Sequence, residues 1–185
     1  MSDSETPPVH VKLSTTLGDV YLELDAERAP KTVENFLHYV DTGFYEGTIF
    51  HRVISNFMAQ GGGMTPDYER KAPTRKPIKN EANNRVSNGP GTLAMARTGD
   101  PHSASSQFFI NLVPNRGLDH TSEDPNGWGY CVFGKVIAGL DTVEQIKNAP
   151  VKLDPKADAR MPARPKEPIV IESAARIEAS DVPAE

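Results

Sequence analysis

The stretch Phe50-His51-Arg52-Val53-Ile54 sets a permanent cation inside an aromatic and aliphatic run. Strand alternation puts Arg52 on the face of Phe50 and Ile54, opposite His51 and Val53. Phe57, Met58 and Gln60 follow closely, and Ser106-Gln107-Phe108-Phe109-Ile110-Asn111 repeats the mix of aromatics and amides. Such a set offers one cation, apolar surface and amide groups, but no acid–base pair. It suits binding, or a reaction that moves no proton. An arginine on a strand is more commonly a surface or ion-paired residue, so the residue types alone leave both readings open.

Other chemistries fit poorly. His10, His38, His51, His102 and His120 form no HxxxH or HExxH pair, and Cys131 stands alone. Zinc spacing is therefore absent, and no metal or other cofactor is expected. Gly129-Tyr130-Cys131-Val132-Phe133-Gly134-Lys135-Val136 approaches a phosphate loop. It has Val136 where a magnesium-binding hydroxyl belongs, and apolar residues between its glycines, which suit a strand. Gly61-Gly62-Gly63 lacks dinucleotide-loop spacing and reads as a tight turn with close backbone approach. No GxSxG elbow occurs. Ser103, Ser105 and Ser106 lie near His102, but sequence neighbours seldom build a triad. Cys131 in an apolar strand reads as an inert core residue.

The elements that must hold these residues are short. Val9, Val11 and Leu13 alternate with polar residues, as do Val20, Leu22 and Leu24, which predicts a β-hairpin. Val33, Phe36, Leu37 and Val40 make one helical stripe, started by Pro30 and closed by Gly43. Apolar runs at residues 48–54, 57–60, 92–96, 107–113 and 130–137 read as strands. Residues 141–148 read as a second helix, with Asp141 and Glu144 as a capping box and Leu140, Val143 and Ile146 toward the core. Ile169-Val170-Ile171 opens a last strand. Residues 64–91 lose all periodicity, and a stretch of that length inside one domain usually packs around a site. Residues 150–168, rich in proline and basic residues, read as an exposed loop. The layout is a disordered tail at 1–8, one domain at 9–178 and a tail at 179–185. Many short strands with one early and one late helix predict a mainly β protein: a closed barrel or sandwich with helical lids.

Composition sets outer limits. The chain has 185 residues, which is one domain by length. Its 16 prolines and 14 glycines stay below the share that marks disorder. One cysteine allows no internal disulfide and fits a reducing compartment. No apolar run is long enough to span a membrane, and the start Met1-Ser2-Asp3-Ser4-Glu5 lacks a signal-peptide pattern. A cytoplasmic location is expected. The net charge of −5 argues against nucleic-acid binding.

Several segments resemble the cyclophilin family of peptidyl-prolyl cis-trans isomerases. They are Phe50-His51-Arg52-Val53-Ile54, Phe57-Met58, Gln60-Gly61-Gly62, Gly91-Thr92-Leu93-Ala94-Met95-Ala96 and Ser106-Gln107-Phe108-Phe109-Ile110. Ala29-Pro30-Lys31-Thr32-Val33-Glu34-Asn35-Phe36 is similar to the family's first helix. Ile78-Lys79-Asn80-Glu81-Ala82-Asn83-Asn84 and Gly127-Trp128-Gly129-Tyr130-Cys131-Val132-Phe133 resemble the compact bacterial cytoplasmic branch. The motifs run in family order from Val9 to Ile177.

The resemblance implies a closed eight-stranded antiparallel β-barrel capped by two α-helices, with its groove on the outer wall. It implies Arg52 as the catalytic residue and Phe57, Met58, Phe109 and Leu118 as a proline pocket. Gln60, with the backbone at Ala96 and Arg97, would hold the peptide, and Gln107 would support the groove. Tyr130 stands where many members carry histidine and would line the pocket. Proline-containing peptides and proteins would be the partners of a monomer, with no nucleic acid and no membrane. Two departures bear on binding. Arg97 stands where many members have asparagine. Gly117 replaces the aromatic that usually precedes the residue matching Leu118, which implies weakened cyclosporin binding. The alternative is a chaperone or scaffold module that holds proline segments without turning them over.

Overall fold

The computed structural model describes residues 5–157 and 160–184. Strands β1 (Val9–Thr15) and β2 (Gly18–Leu24) form the expected hairpin. Val11, Leu13, Val20, Leu22 and Leu24 are fully buried, and the residues between them stay half-exposed. Helix α1 (Pro30–Asp41) buries Val33, Phe36, Leu37 and Val40, together with Tyr39 and the polar Thr32 and Asn35. Gly43 follows its end at φ 71°, a left-handed turn that costs glycine nothing.

The remaining strands are β3 (Phe50–Ile54), β4 (Met58–Gly61), β5 (Thr92–Met95), β6 (Phe108–Asn111) and β7 (Val132–Ala138). After helix α2 (Leu140–Lys147) come the two-residue strands β8 (Val151–Lys152) and β9 (Arg164–Pro165), then β10 (Ile171–Ile177). Eight strands make one antiparallel sheet in the order β10-β1-β2-β7-β5-β6-β4-β3.

The sheet curls until its edges meet. Ile49 bridges Val170, Phe50 N donates to Ile169 O at 3.0 Å, and Ile171 N donates to Thr48 O at 2.8 Å. The expected closed barrel is thus joined by a short seam rather than a full ladder. Phe36 of α1 meets Tyr45, Phe108 and Phe133 at ring separations of 5.2–5.4 Å and plugs the interior.

Helix α2 departs from expectation at its start. Gly139 takes the N-cap position at φ 83°, no side chain caps the helix, and Leu140 is 54% exposed. The turn from β7 presses residue 139 against the Asp19 carbonyl, where a Cβ would collide. Glycine there begins the helix one residue early. Thr142 and Ile146 then face the barrel, Val143 packs at its edge, and Asp141 sits two positions past the N-cap, too far in to cap.

The two long loops are not simply solvated. Residues 64–91 hold a 3₁₀ turn at Ala82–Asn84 and bridges Met64–Arg70 and Ile78–Ala104. In the 150–168 segment, β8 and β9 pair as a small arm, and Val53 N donates to Ala163 O at 2.7 Å. The Arg164 guanidinium lies 3.5 Å from the Tyr68 ring centre and 3.3 Å from Asp154. Lys156 reaches Glu69 at 2.9 Å. The two loops therefore grip each other beside β3.

Candidate functional site

Alternation on the buried strands separates two apolar layers. Phe50, Val53, Ala59, Leu93, Met95, Phe108, Ile110 and Phe133 belong to the interior core. Ile54, Met58, Ala94, Phe109 and Val132 form a second buried cluster on the outer wall. Phe57, Ala96, Leu118 and Tyr130 pack on that second cluster and stay partly exposed.

Strict alternation fails in β3, beside the cleft. Phe50 pairs with Gly61, but Arg52 pairs with Gln60, so His51 is an extra residue in β3. This β-bulge lets Phe50 turn inward while Arg52 shares the outer face with Ile54. Sequence alternation alone placed Arg52 beside Phe50; the bulge is the correction.

The register then lines up the chemistry. Arg52 opposes Gln60, Gln60 opposes Phe109, and Phe109 opposes Ala94. One rung across four strands thus carries a cation, an amide, an aromatic ring and a small residue. Above it opens a cleft of about 260 Å³ lined by Arg52, Phe57, Met58, Gln60, Ala96, Arg97, Phe109, Leu118 and Tyr130. Gln107 stands behind this lining: its Oε1 accepts a hydrogen bond from Gln60 Nε2 at 2.9 Å. A Cβ on Gly63 would strike the Gln107 side chain, so the glycine run makes room for that pair. Ala96 N donates to Gln107 O at 3.0 Å and ties the β5 end to the same frame.

The far wall is held by polar groups that sequence reading missed. Asn88 and Asn111 are fully buried. Asn88 Nδ2 faces the Leu118 and Tyr130 carbonyls and Asp119 at 3.1–3.3 Å, and its Oδ1 accepts from Asn111 Nδ2 at 3.0 Å. Burial pushes the Asp119 carboxyl upward, but hydrogen bonds from Asn88 and Ser87 and the nearby Arg116 outweigh it and hold its pKa below the usual value. Asn88 and Asp119 sit in aperiodic loops and Asn111 ends the apolar run of β6, and neither spacing nor hydrophobic pattern marks a buried asparagine.

Tyr130 is fixed from both sides. Its ring meets Phe109 edge-on at 5.8 Å, and the Arg97 guanidinium lies over it, 4.4 Å from the ring centre. Trp128 is not in the cleft; it is buried between His102 and His120, at 4.9 and 5.2 Å. Beside Leu118, a Cβ on Gly117 would meet nothing within 4 Å, so the space next to that backbone is open.

The electrostatics favour a non-covalent site. Arg52 is exposed, and no carboxylate among the described residues pairs with it. Burial and the adjacent Arg52 lower the His51 pKa from 6.5 to about 4, so its imidazole is neutral at pH 7. Burial pushes the Cys131 thiol up to about 12, which removes it as a nucleophile. Among the described residues no cluster of His, Cys, Asp and Glu could hold a metal. A larger cleft of about 580 Å³ lies near Pro7, Pro8 and Lys135, away from the Arg52 rung.

A helix-capped antiparallel barrel with its cleft on the outer wall is a cyclophilin-like fold. A solved cyclophilin-type isomerase from Cryptosporidium parvum superposes with a TM-score of 0.77 at 29% identity, covering 92% of this chain and 98% of that one. The same protein, determined in the presence of the dipeptide Ala-Pro, gives 0.76 at 29% identity, covering 91% and 99%. Residues 10–176 match the family described as cyclophilin type peptidyl-prolyl cis-trans isomerase, and the chain belongs to it. It is 56% identical to peptidyl-prolyl cis-trans isomerase cyp18 of Streptomyces antibioticus over 89% of this chain and 96% of that protein. It is 51% identical to peptidyl-prolyl cis-trans isomerase B of Escherichia coli, over 88% and 96%.

Proposed function

We propose that this protein catalyses rotation about X–Pro peptide bonds in proline-containing peptides and proteins, with Arg52 as its catalytic residue. The observation that carries this is the rung Arg52–Gln60–Phe109, a free cation one strand away from an amide and two from an aromatic floor.

The chemistry follows from the amide. Rotation breaks resonance across a barrier of about 18–20 kcal/mol. In the twisted state the proline nitrogen pyramidalises and regains a lone pair. The Arg52 guanidinium donates to that lone pair, a bond that exists only in the transition state and so lowers the barrier. Phe57, Met58, Phe109 and Leu118 hold the proline ring, Gln60 and the Ala96–Arg97 backbone hold the chain, and Gln107 orients Gln60. Tyr130 closes the far wall.

Arg52 cannot act alone. A 10⁵-fold acceleration needs about 7 kcal/mol. A hydrogen bond to a charged group contributes about 1.5–3 kcal/mol. Fixing the proline ring and excluding water must supply the rest. No proton leaves the enzyme, so the activity of the folded protein is expected to be flat from pH 6 to 9.

The catalytic unit is residues 9–178, flanked by tails at 1–8 and 179–185. It works as a monomer in the cytoplasm, with Cys131 reduced. Open space at Gly117 supports weak cyclosporin binding, and a titration giving nanomolar affinity would overturn that point.

The test of the main reading is cis–trans exchange of a proline peptide by NMR, with unmutated protein and with Arg52→Ala. Loss of catalysis with retained binding supports it. Binding without catalysis by the unmutated protein leaves only a module that holds proline segments.

A further inference from the structure

The cleft is cationic on an acidic protein. The chain carries a net charge of −5, yet the charged residues lining the cleft are two arginines and no acid. Arg52 is one; Arg97 is the other, and it is built in quite differently.

Arg97 is held in place before any ligand arrives. Its Nε donates to Gly129 O at 3.0 Å and its Nη1 to Thr98 O at 2.9 Å, while the guanidinium plane lies over Tyr130. Asn80 Nδ2 donates to the same Gly129 carbonyl at 3.1 Å and fixes that anchor. Three of the five guanidinium N–H groups remain unused by these bonds.

No carboxylate among the described residues lies within ion-pair distance of Arg97. The two acids nearby in sequence or at the cleft rim are otherwise engaged. Asp100 accepts from His102 N at 2.9 Å. Asp119 accepts from Asn88 N at 2.7 Å and Ser87 Oγ at 2.6 Å. A rigid, half-buried guanidinium with spare donors and no internal counter-charge is complementary to a carboxylate.

We infer that Arg97 makes the cleft selective for X–Pro segments that carry a carboxylate side chain close to the proline. This rests on the isomerase reading and adds to it the chemical class of the preferred substrate. Arg97 touches the peptide but lies away from the reacting nitrogen in this scheme. Its charge therefore acts equally on ground state and transition state and is read in KM rather than kcat.

The test uses matched proline peptides that carry Glu or Gln at each position from two before to two after the proline. NMR exchange gives kcat and KM at low ionic strength. At one position the Glu peptide is expected to have a kcat/KM about three- to fivefold above its Gln twin, the size of a partly exposed ion pair. The difference should lie in KM and shrink toward unity in 1 M salt, where the Debye length is about 3 Å. Because the ratio is taken within each variant, any general loss cancels. Arg97→Lys should keep a preference for Glu, Arg97→Gln should abolish it, and Arg97→Glu should invert it. A Glu-to-Gln ratio of one at every position in the unmutated protein overturns the inference, as does a preference that persists in Arg97→Gln. Should no peptide be isomerised, the isomerase reading fails instead. The same ratio is then read from dissociation constants by titration, which judges the Arg97 inference separately.

Discussion

Phe108 and Phe109 are neighbours on one strand and belong to different regions of the molecule. Phe108 points inward, fully buried, against Phe36, Tyr45 and Phe50 at 5.4–6.0 Å, three edge-on contacts in a sealed layer. Phe109 points outward into a thinner layer, with Tyr130 on one flank and the cleft above. The inner layer is ring against ring. The outer layer is a floor whose fourth side is left for another molecule. One strand with a period of two serves both, so stability and recognition are divided by side of the sheet rather than by segment of the chain.

The division can be broken by substitution. Phe108→Ala should cost about 3–5 kcal/mol of stability, seen as a lower urea midpoint. The folded fraction should keep its kcat/KM within about threefold. A drop in activity as deep as that of an Arg52 variant would erase the distinction between the layers. Arg52→Ala is the converse. Its kcat/KM should fall about 10- to 100-fold, as expected for one charge-assisted hydrogen bond, while the exposed position leaves the thermal midpoint unmoved.

His51 lies between the two regions, on the bulge. Its folded pKa of about 4 is below the ordinary 6.5. Between these values the unfolded chain takes up a proton that the folded one refuses. Stability should therefore be full above about pH 6.5 and decline as the pH falls to about 4, by about 2 kcal/mol after allowance for the ring's residual exposure. His51→Gln should flatten this part of the acid profile in pH-dependent urea unfolding. The smallest effect is expected behind the cleft. Gln107→Ala removes the partner of Gln60 and should lower kcat/KM about two- to tenfold, with little change in urea midpoint.

Much of this was legible in the chain. The hairpin, α1 and the apolar runs of β3 to β7 follow from alternation and helical spacing, because each buries a face. Of the ten positions named through resemblance, nine line one cleft, and Gln107 hydrogen-bonds to Gln60 in it. What escaped has a common cause. The bulge at His51, the glycine start of α2 at Gly139, the buried Asn88–Asn111 pair and the Arg164–Tyr68 grip between loops all depend on contacts between distant segments. Periodicity reports how a segment meets an average interior; it carries no record of which carbonyl or ring a turn will be pressed against.

The pairing of β1 with β10 has a consequence for connectivity. His10 lies opposite Ile177 and Ser14 opposite Ser173, so the first and last strands of the barrel run side by side. In space the chain is nearly a ring, cut at the border of the domain. A short linker from the end of β10 to the start of β1 could close that ring. New ends could then be opened at an exposed turn such as residues 98–100, leaving every rung of the sheet in register. The order in which the strands are synthesised is thus separable from the architecture they build.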